Sequence, residues 1–292
     1  MKVTKTEETH SGFDQRGGEA MRNTKTNELV LTGLFTAIII IMAFTPLGYI
    51  PLVVINATII HIPVILGSLF CGPKKGAFLG FVFGFTSCLK STIAGTSLSS
   101  FVFSPVLAAS FVGTSGIFKS IFIAFVPRIL VGVVPYFVYI GIKKVLISEK
   151  KNLWGTILNA VMSAFLAFGV YAFLHKMVET LSTGTCAAIG VAVGVVVFAV
   201  VEAVFIRKSA QVIPFVYAGV AGAMTNTILV MGSIFVLYKD AYAEAIGTAA
   251  DAVLGVIGGV ISFNGVIEAI VAAIIVYLVG LVLNTIKPIA TK

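Results

Sequence analysis

The sequence predicts an all-α integral membrane protein, and three observations carry that prediction. The chain is 58% hydrophobic and only 11% charged, whereas a soluble domain is nearer a quarter charged. Its mean hydropathy is +1.07. The apolar residues fall in long unbroken runs rather than in short alternating ones, which selects helices over an outer-membrane barrel. Counting these runs gives eight spans. The net charge of +8 would suit a nucleic-acid partner, but most Lys and Arg sit between apolar runs, where topology accounts for them. No nucleic-acid partner is expected.

Residues 1–27 are polar, with charges of both signs and several Gly, Ser and Thr, and read as a disordered tail. The first helix covers about Leu29 to Phe44 and stops at Thr45-Pro46-Leu47-Gly48, a turn marked by proline and glycine. The apolar connection from Tyr49 to Asn56 is expected as an ordered loop on the bundle. A short second helix, about Ala57 to Phe70, ends at Gly72-Pro73-Lys74-Lys75, and the third runs from Gly76 to about Leu89. A Ser/Thr/Gly-rich loop follows Lys90. The fourth helix spans about Phe118 to Ile142, closing a first unit of residues 28–147.

Residues 148–210 hold two further apolar runs, Trp154 to Leu174 and Thr185 to Ile206, bounded by the basic breaks Lys150-Lys151 and Arg207-Lys208. Residues 211–292 supply the last two helices, about Pro214 to Tyr238 and 262 to 284. The basic clusters 74–75, 143–151, 207–208 and 287–292 then share one side with the N-terminus. The positive-inside rule makes that side cytoplasmic, with both termini inside.

Polar residues within the apolar runs are the candidate site, because a charge there must face protein, water or ligand. The final run, SFNGVIEAIVAAIIVYLVGLVLN, carries Asn264 and Glu268 four residues apart, on one face of a helix. Asn264 also reads as the cap that starts this helix. Arg128 lies about 15 Å into its helix at 1.5 Å per residue. Two readings of it stay open: an ion pair with Glu268, or a clamp on a ligand carboxylate with bidentate geometry. Pro127 beside it frees a backbone carbonyl. Thr225, Asn226 and Thr227 form a third cluster, with Thr225 and Asn226 readable as ligand contacts or as interhelical glue. Lys90 and Ser99-Ser100 are candidates at the rim, and His61 is the remaining polar candidate. His61 has no second histidine at ligand spacing, so no metal site is expected. Cys71, Cys88 and Cys186 show no metal or redox spacing. No nucleophile–base pair or phosphate-binding loop is present, so neither catalysis nor a cofactor is expected, and energy for transport would come from elsewhere.

The stretches AFTPLGYIPL, TIIHIPVILGSLFCGPKKGAFLGFVFGFTS, SFVFSP, FVPRILVG, TNTILVMG and NGVIEAIVAAI resemble, in order, the substrate-binding S components of energy-coupling factor (ECF) vitamin transporters. The set is most similar to the pantothenate-type members. The resemblance implies a six-helix bundle, with the two-helix hairpin of residues 154–206 as an insertion. It also implies a vitamin bound near the outer face, and partners consisting of a membrane coupling subunit and two cytoplasmic ATPases in a bacterial cell membrane. Family members dock through small residues on the first helix, and Gly33 and Ala37 match that spacing here. Another vitamin such as riboflavin is the alternative within the class. From a different class, a self-sufficient secondary transporter is the competing reading, although no internal repeat of the kind common there is visible.

Overall fold

The computed structural model describes residues 8–51, 56–95, 99–178 and 180–289. They are almost entirely helical, and seven helices are long and apolar enough to cross a membrane. Helix α1 (Glu8–Phe44) begins well before the expected start. Residues 8–27 are therefore helical rather than a structureless tail, because extending an existing helix requires no new nucleus. After a 3₁₀ turn at Pro46–Gly48, strands β1 (Tyr49–Pro51) and β2 (Asn56–Thr58) pair antiparallel, Tyr49 opposite Thr58. The ordered apolar connection is thus a small β-hairpin, whose tip lies outside the described residues.

Helix α2 (His61–Cys71) is buried along nearly its whole length. Its 11 residues reach only about 16 Å, short of a roughly 30 Å hydrocarbon core. Helix α3 (Pro73–Ile93) starts on a proline, which suits the first turn. Glycines at 76, 80 and 84 line the side of α3 that meets the next long helix. A side chain at Gly76 would collide with the Gly132 carbonyl, and one at Gly80 with the Arg128 carbonyl. At Gly84 the added carbon would sit 2.6 Å from the Ala124 carbonyl. The absence of three side chains lets two backbones touch, the small-xxx-small packing of membrane helices.

A short helix α4 (Pro105–Val112) is capped by Ser104, whose Oγ accepts from the Leu107 N–H at 3.2 Å. The expected fourth helix is two: α5 (Ser115–Val131) and α6 (Val134–Ile147), broken at Gly132–Val133. Ser68 donates to the Gly132 carbonyl at the break, at 2.6 Å. Helix α7 (Lys151–Met177) is the first limb of the hairpin expected within residues 148–210.

Residues Thr183–Ile246 are all helical, here α8, and the boundary expected at 210/211 lies between its two candidate spans, Thr183–Ala203 and Val212–Ile246. Its two halves nevertheless point in opposite directions. Along α7, Gly190 packs on Ala167 while Glu202 reaches Thr156. Tyr217 then bonds the Leu158 carbonyl at 2.6 Å, and Thr227 packs beside Gly265 at the far end. The direction therefore reverses between the candidate spans Thr183–Ala203 and Val212–Ile246. The chain closes with α9 (Val253–Val260), a π-helical turn at Ile261–Gly265, and α10 (Val266–Ile286). These form one candidate span from Val253 to Ile286. Asn264 is accordingly not a helix start; it lies inside the π turn.

The main core joins α1, α2, α3, α8 and α10 around Ile39, Ile65, Leu79 and Phe215. A second cluster around Val102, Ile123, Ile234 and Val253 packs the opposite end. Between them lies the cavity described next.

Candidate ligand-binding site

A cavity of about 590 Å³ opens between α3, α5, the second half of α8 and the π turn, within the usual range for small-molecule sites. Five expected residues line it together: Lys90, Ser100, Arg128, Asn226 and Asn264, with Glu268 as the sixth. Arg128, Asn226, Asn264 and Glu268 are each only 6–8% exposed.

Arg128 is held in place by local chemistry. Pro127 has no N–H, so the Ile123 carbonyl loses its helical donor. Arg128 Nη1 donates to that carbonyl at 2.7 Å. The guanidinium also lies over two rings, 4.7 Å from the Phe103 centroid and 5.5 Å from that of Phe83, where the faces of the rings favour a cation.

Glu268 is occupied by protein. Its Oε1 accepts from the Thr58 backbone N–H at 2.7 Å and its Oε2 from Thr227 Oγ1 at 2.9 Å. The first bond ties α10 to β2, and Thr58 itself lines the cavity. Both carboxyl oxygens are thus held by Thr58 and Thr227, while Arg128 lines the same cavity. Lys75 and Glu28 form an ion pair at 2.5 Å, away from the cavity. Glu268→Ala should release the β-hairpin. Hydrogen bonds to a charged group contribute about 1.5–3 kcal/mol, so amide exchange at Thr58 is expected to speed up by about 10- to 100-fold. Unchanged exchange would mean that the hairpin is held by other contacts.

Lys90 donates to the Ala43 carbonyl at 2.9 Å, fastening the end of α1 to the cavity wall. The Oδ1 atoms of Asn226 and Asn264 are buried and have no hydrogen-bond donor among the described residues. Buried acceptors without donors are rare in folded proteins, and here both border a cavity. Both oxygens are therefore acceptors facing the cavity with no donor from the described protein.

Two expected site residues fall elsewhere. Thr225 does not line the cavity; Thr227 does. At 100° per residue the lining positions 226, 227, 230 and 231 share one face of α8, and 225 lies opposite. His61 is fully buried in the packing of α2 and also does not line the cavity. Thr58, Phe83, Ser87 and Phe103 also line the cavity, beyond the residues expected from sequence. Ser87 could have been found: it lies three residues before Lys90, one helical turn away. Phe103 had no such signal, because its role depends on how the loop before α4 folds back onto Arg128. Gly33 and Ala37 lie on the exposed side of α1, and a side chain at Gly33 would meet nothing within 4 Å.

A polar, arginine-bearing cavity inside a bundle of membrane helices, with no cluster of His, Cys, Asp or Glu fit for a metal among the described residues, defines a solute-binding membrane protein. The family model for the substrate-specific component of ECF transporters matches residues 27–280, and the chain belongs to that family. It is therefore a multi-pass membrane protein with a role in transport. It is 39% identical over 161 residues to the pantothenic acid transporter PanT of Lactococcus lactis subsp. cremoris, a match covering 51% of this chain and 78% of that one. It is 35% identical over 119 residues to the pantothenate transporter PanT of Leuconostoc mesenteroides subsp. mesenteroides, covering 39% of this chain and 51% of that relative.

Proposed function

We propose that this chain captures pantothenate for an ATP-driven importer of the ECF type. Pantothenate carries one carboxylate, one amide N–H and two hydroxyls. The observation that supports it best is the pairing of opposite needs in one cavity. A fixed guanidinium at Arg128 suits the carboxylate, in the bidentate geometry arginine favours. The two donor-less oxygens of Asn226 and Asn264 suit the amide and hydroxyl donors. Thr227 and Thr58 donate to the two carboxyl oxygens of Glu268 and hold the carboxyl in the wall of the site. The likeness to two pantothenate transporters points to the same molecule.

In this reading Arg128, Asn226, Asn264, Ser100 and Lys90 contact the vitamin, and Glu268 holds the wall of the site. The basic ends of the helices, including Lys74-Lys75 and Lys143-Lys144, face the cytoplasm of a bacterial cell with both termini. The cavity then opens toward the outer face. Gly33 and Ala37, with no neighbour over Gly33, form the face of α1 that meets a membrane coupling subunit. Two cytoplasmic ATPase subunits complete the module.

The test is uptake of labelled pantothenate in cells expressing this chain with and without active partner ATPases. Uptake is expected to collapse when the ATPases are disabled. Uptake that persists and follows a proton or sodium gradient would overturn the proposal in favour of secondary transport. A vitamin other than pantothenate co-purifying with the protein would keep the class and change the ligand.

A further inference from the structure

The hairpin inserted between α6 and the cavity-lining half of α8 is no appendage at the rim: its contacts lead to the ligand site. The π turn at Ile261–Gly265 has two consecutive residues that face opposite neighbours. Asn264 lines the cavity. Phe263, 3% exposed, stacks on Phe173 of α7 with ring centroids 5.9 Å apart and planes within 7°. Lys176, one turn further along α7, places its ammonium 4.8 Å from the other partner of that stack, the Phe263 ring. Just below, Gly169 approaches so closely that a side chain there would collide with Val266. Phe173 and Lys176 thus hold the irregular turn that carries Asn264, and Gly169 packs on the residue that follows it.

The hairpin is stiff enough to act as a support. Glu202 accepts hydrogen bonds from Thr156 Oγ1 at 2.5 Å and Asn159 Nδ2 at 2.9 Å, closing its two limbs near one end. Nearer the other end, Gly190 and Gly194 let α8 pack directly on Ala167. A π-helical turn has poorer hydrogen-bond geometry than the α-helix around it and persists where its surroundings hold it. Those surroundings, on the side away from the ligand, are the inserted hairpin.

We infer that the inserted hairpin is a positioning element of the binding site: Phe173, stacked on Phe263, holds the π turn in the form that presents Asn264 to the ligand. This inference rests on the reading of Asn264 as a ligand contact. Phe173 touches nothing in the cavity, so its influence must pass through the turn.

The test is a double-mutant cycle read by calorimetric titration of pantothenate into the purified full-length protein in detergent. Phe173 is 39% exposed, so Phe173→Ala removes little core and should fold. The affinity is expected to fall about three- to tenfold, the range of a lost aromatic pair, and Phe173→Tyr should restore it. In an Asn264→Ala background the same Phe173→Ala change should have no further effect. Unchanged affinity in Phe173→Ala, or an equal loss in both backgrounds, would overturn the inference. Asn264→Ala binding like the unmodified protein would instead overturn the ligand role of Asn264. Hydrogen exchange without ligand keeps the two apart: amides 261–265 should exchange about three- to tenfold faster in Phe173→Ala, and unchanged rates would show that the hairpin supports nothing.

Discussion

Arg128→Gln is expected to weaken pantothenate binding by about 30- to 3,000-fold. Removing one partner of a buried, hydrogen-bonded charge pair costs about 2–5 kcal/mol, and each 1.4 kcal/mol is tenfold. The effect lies in the upper part of that range for a structural reason. In the unmodified chain the guanidinium is fixed by the Ile123 carbonyl and by the Phe83 and Phe103 rings. The ligand therefore meets a donor already in position, and little ordering remains to be done on binding. Glutamine brings neither the charge nor the paired donors. The fold should survive, since Phe83 and Phe103 remain and the loss is confined to one side chain. The measurement is titration calorimetry alongside the melting temperature. Normal affinity would assign the arginine a purely structural role; a collapsed melting temperature would show that it holds α5 rather than the ligand.

The second large effect is expected at Gly80. Gly80→Leu sets a side chain against the Arg128 carbonyl, which is backbone and cannot swing away. Overpacking a core costs about 1–3 kcal/mol when side chains can adjust, and more when they cannot. Here the two backbones must separate. The variant is expected to lose the folded monomer in detergent-based size exclusion, and any residue that folds should bind pantothenate poorly because α5 carries Arg128. Gly33→Leu is the matching control. It alters the same residue type in the same kind of pattern on α1, yet meets nothing within 4 Å. It should fold and bind normally, and its cost should appear only in uptake, where the docking face is used. A Gly80→Leu protein that melts and binds like the unmodified chain would show that α3 and α5 can part without consequence.

The two glycine patterns also show how far the sequence could be read. Both were present in the chain, and only that of α1 drew attention, through the family resemblance. Spacing alone does not distinguish a helix that packs on its own bundle from one that awaits a partner. The stretch around Arg128 was more legible. Pro127 removes a specific N–H, so the freed carbonyl was evident from two adjacent letters, and Arg128 fills that vacancy. The shared face of Asn264 and Glu268 followed from a four-residue spacing, although the π turn that sets the outward direction of Asn264 did not. A TNT cluster gives no rotation about the helix axis, so the letters alone do not say which of Thr225 and Thr227 turns toward the cavity. That rotation is fixed by which neighbours pack on α8.

By itself the sequence determined the class and the inventory: a membrane bundle of apolar helices, one buried arginine, a small set of amides and hydroxyls, and a basic side. Those follow from composition and periodicity, because hydrocarbon admits only internally satisfied helices and isolates every polar group within them. Tertiary structure alone decided the partners. It gave the Glu268 carboxylate to Thr58 and Thr227, brought Phe103 over Arg128, and set Phe173 of the inserted hairpin on the turn that carries Asn264. The physical reason is distance along the chain. Glu268 meets a residue 210 positions away, and no local rule of spacing or propensity carries information across that separation.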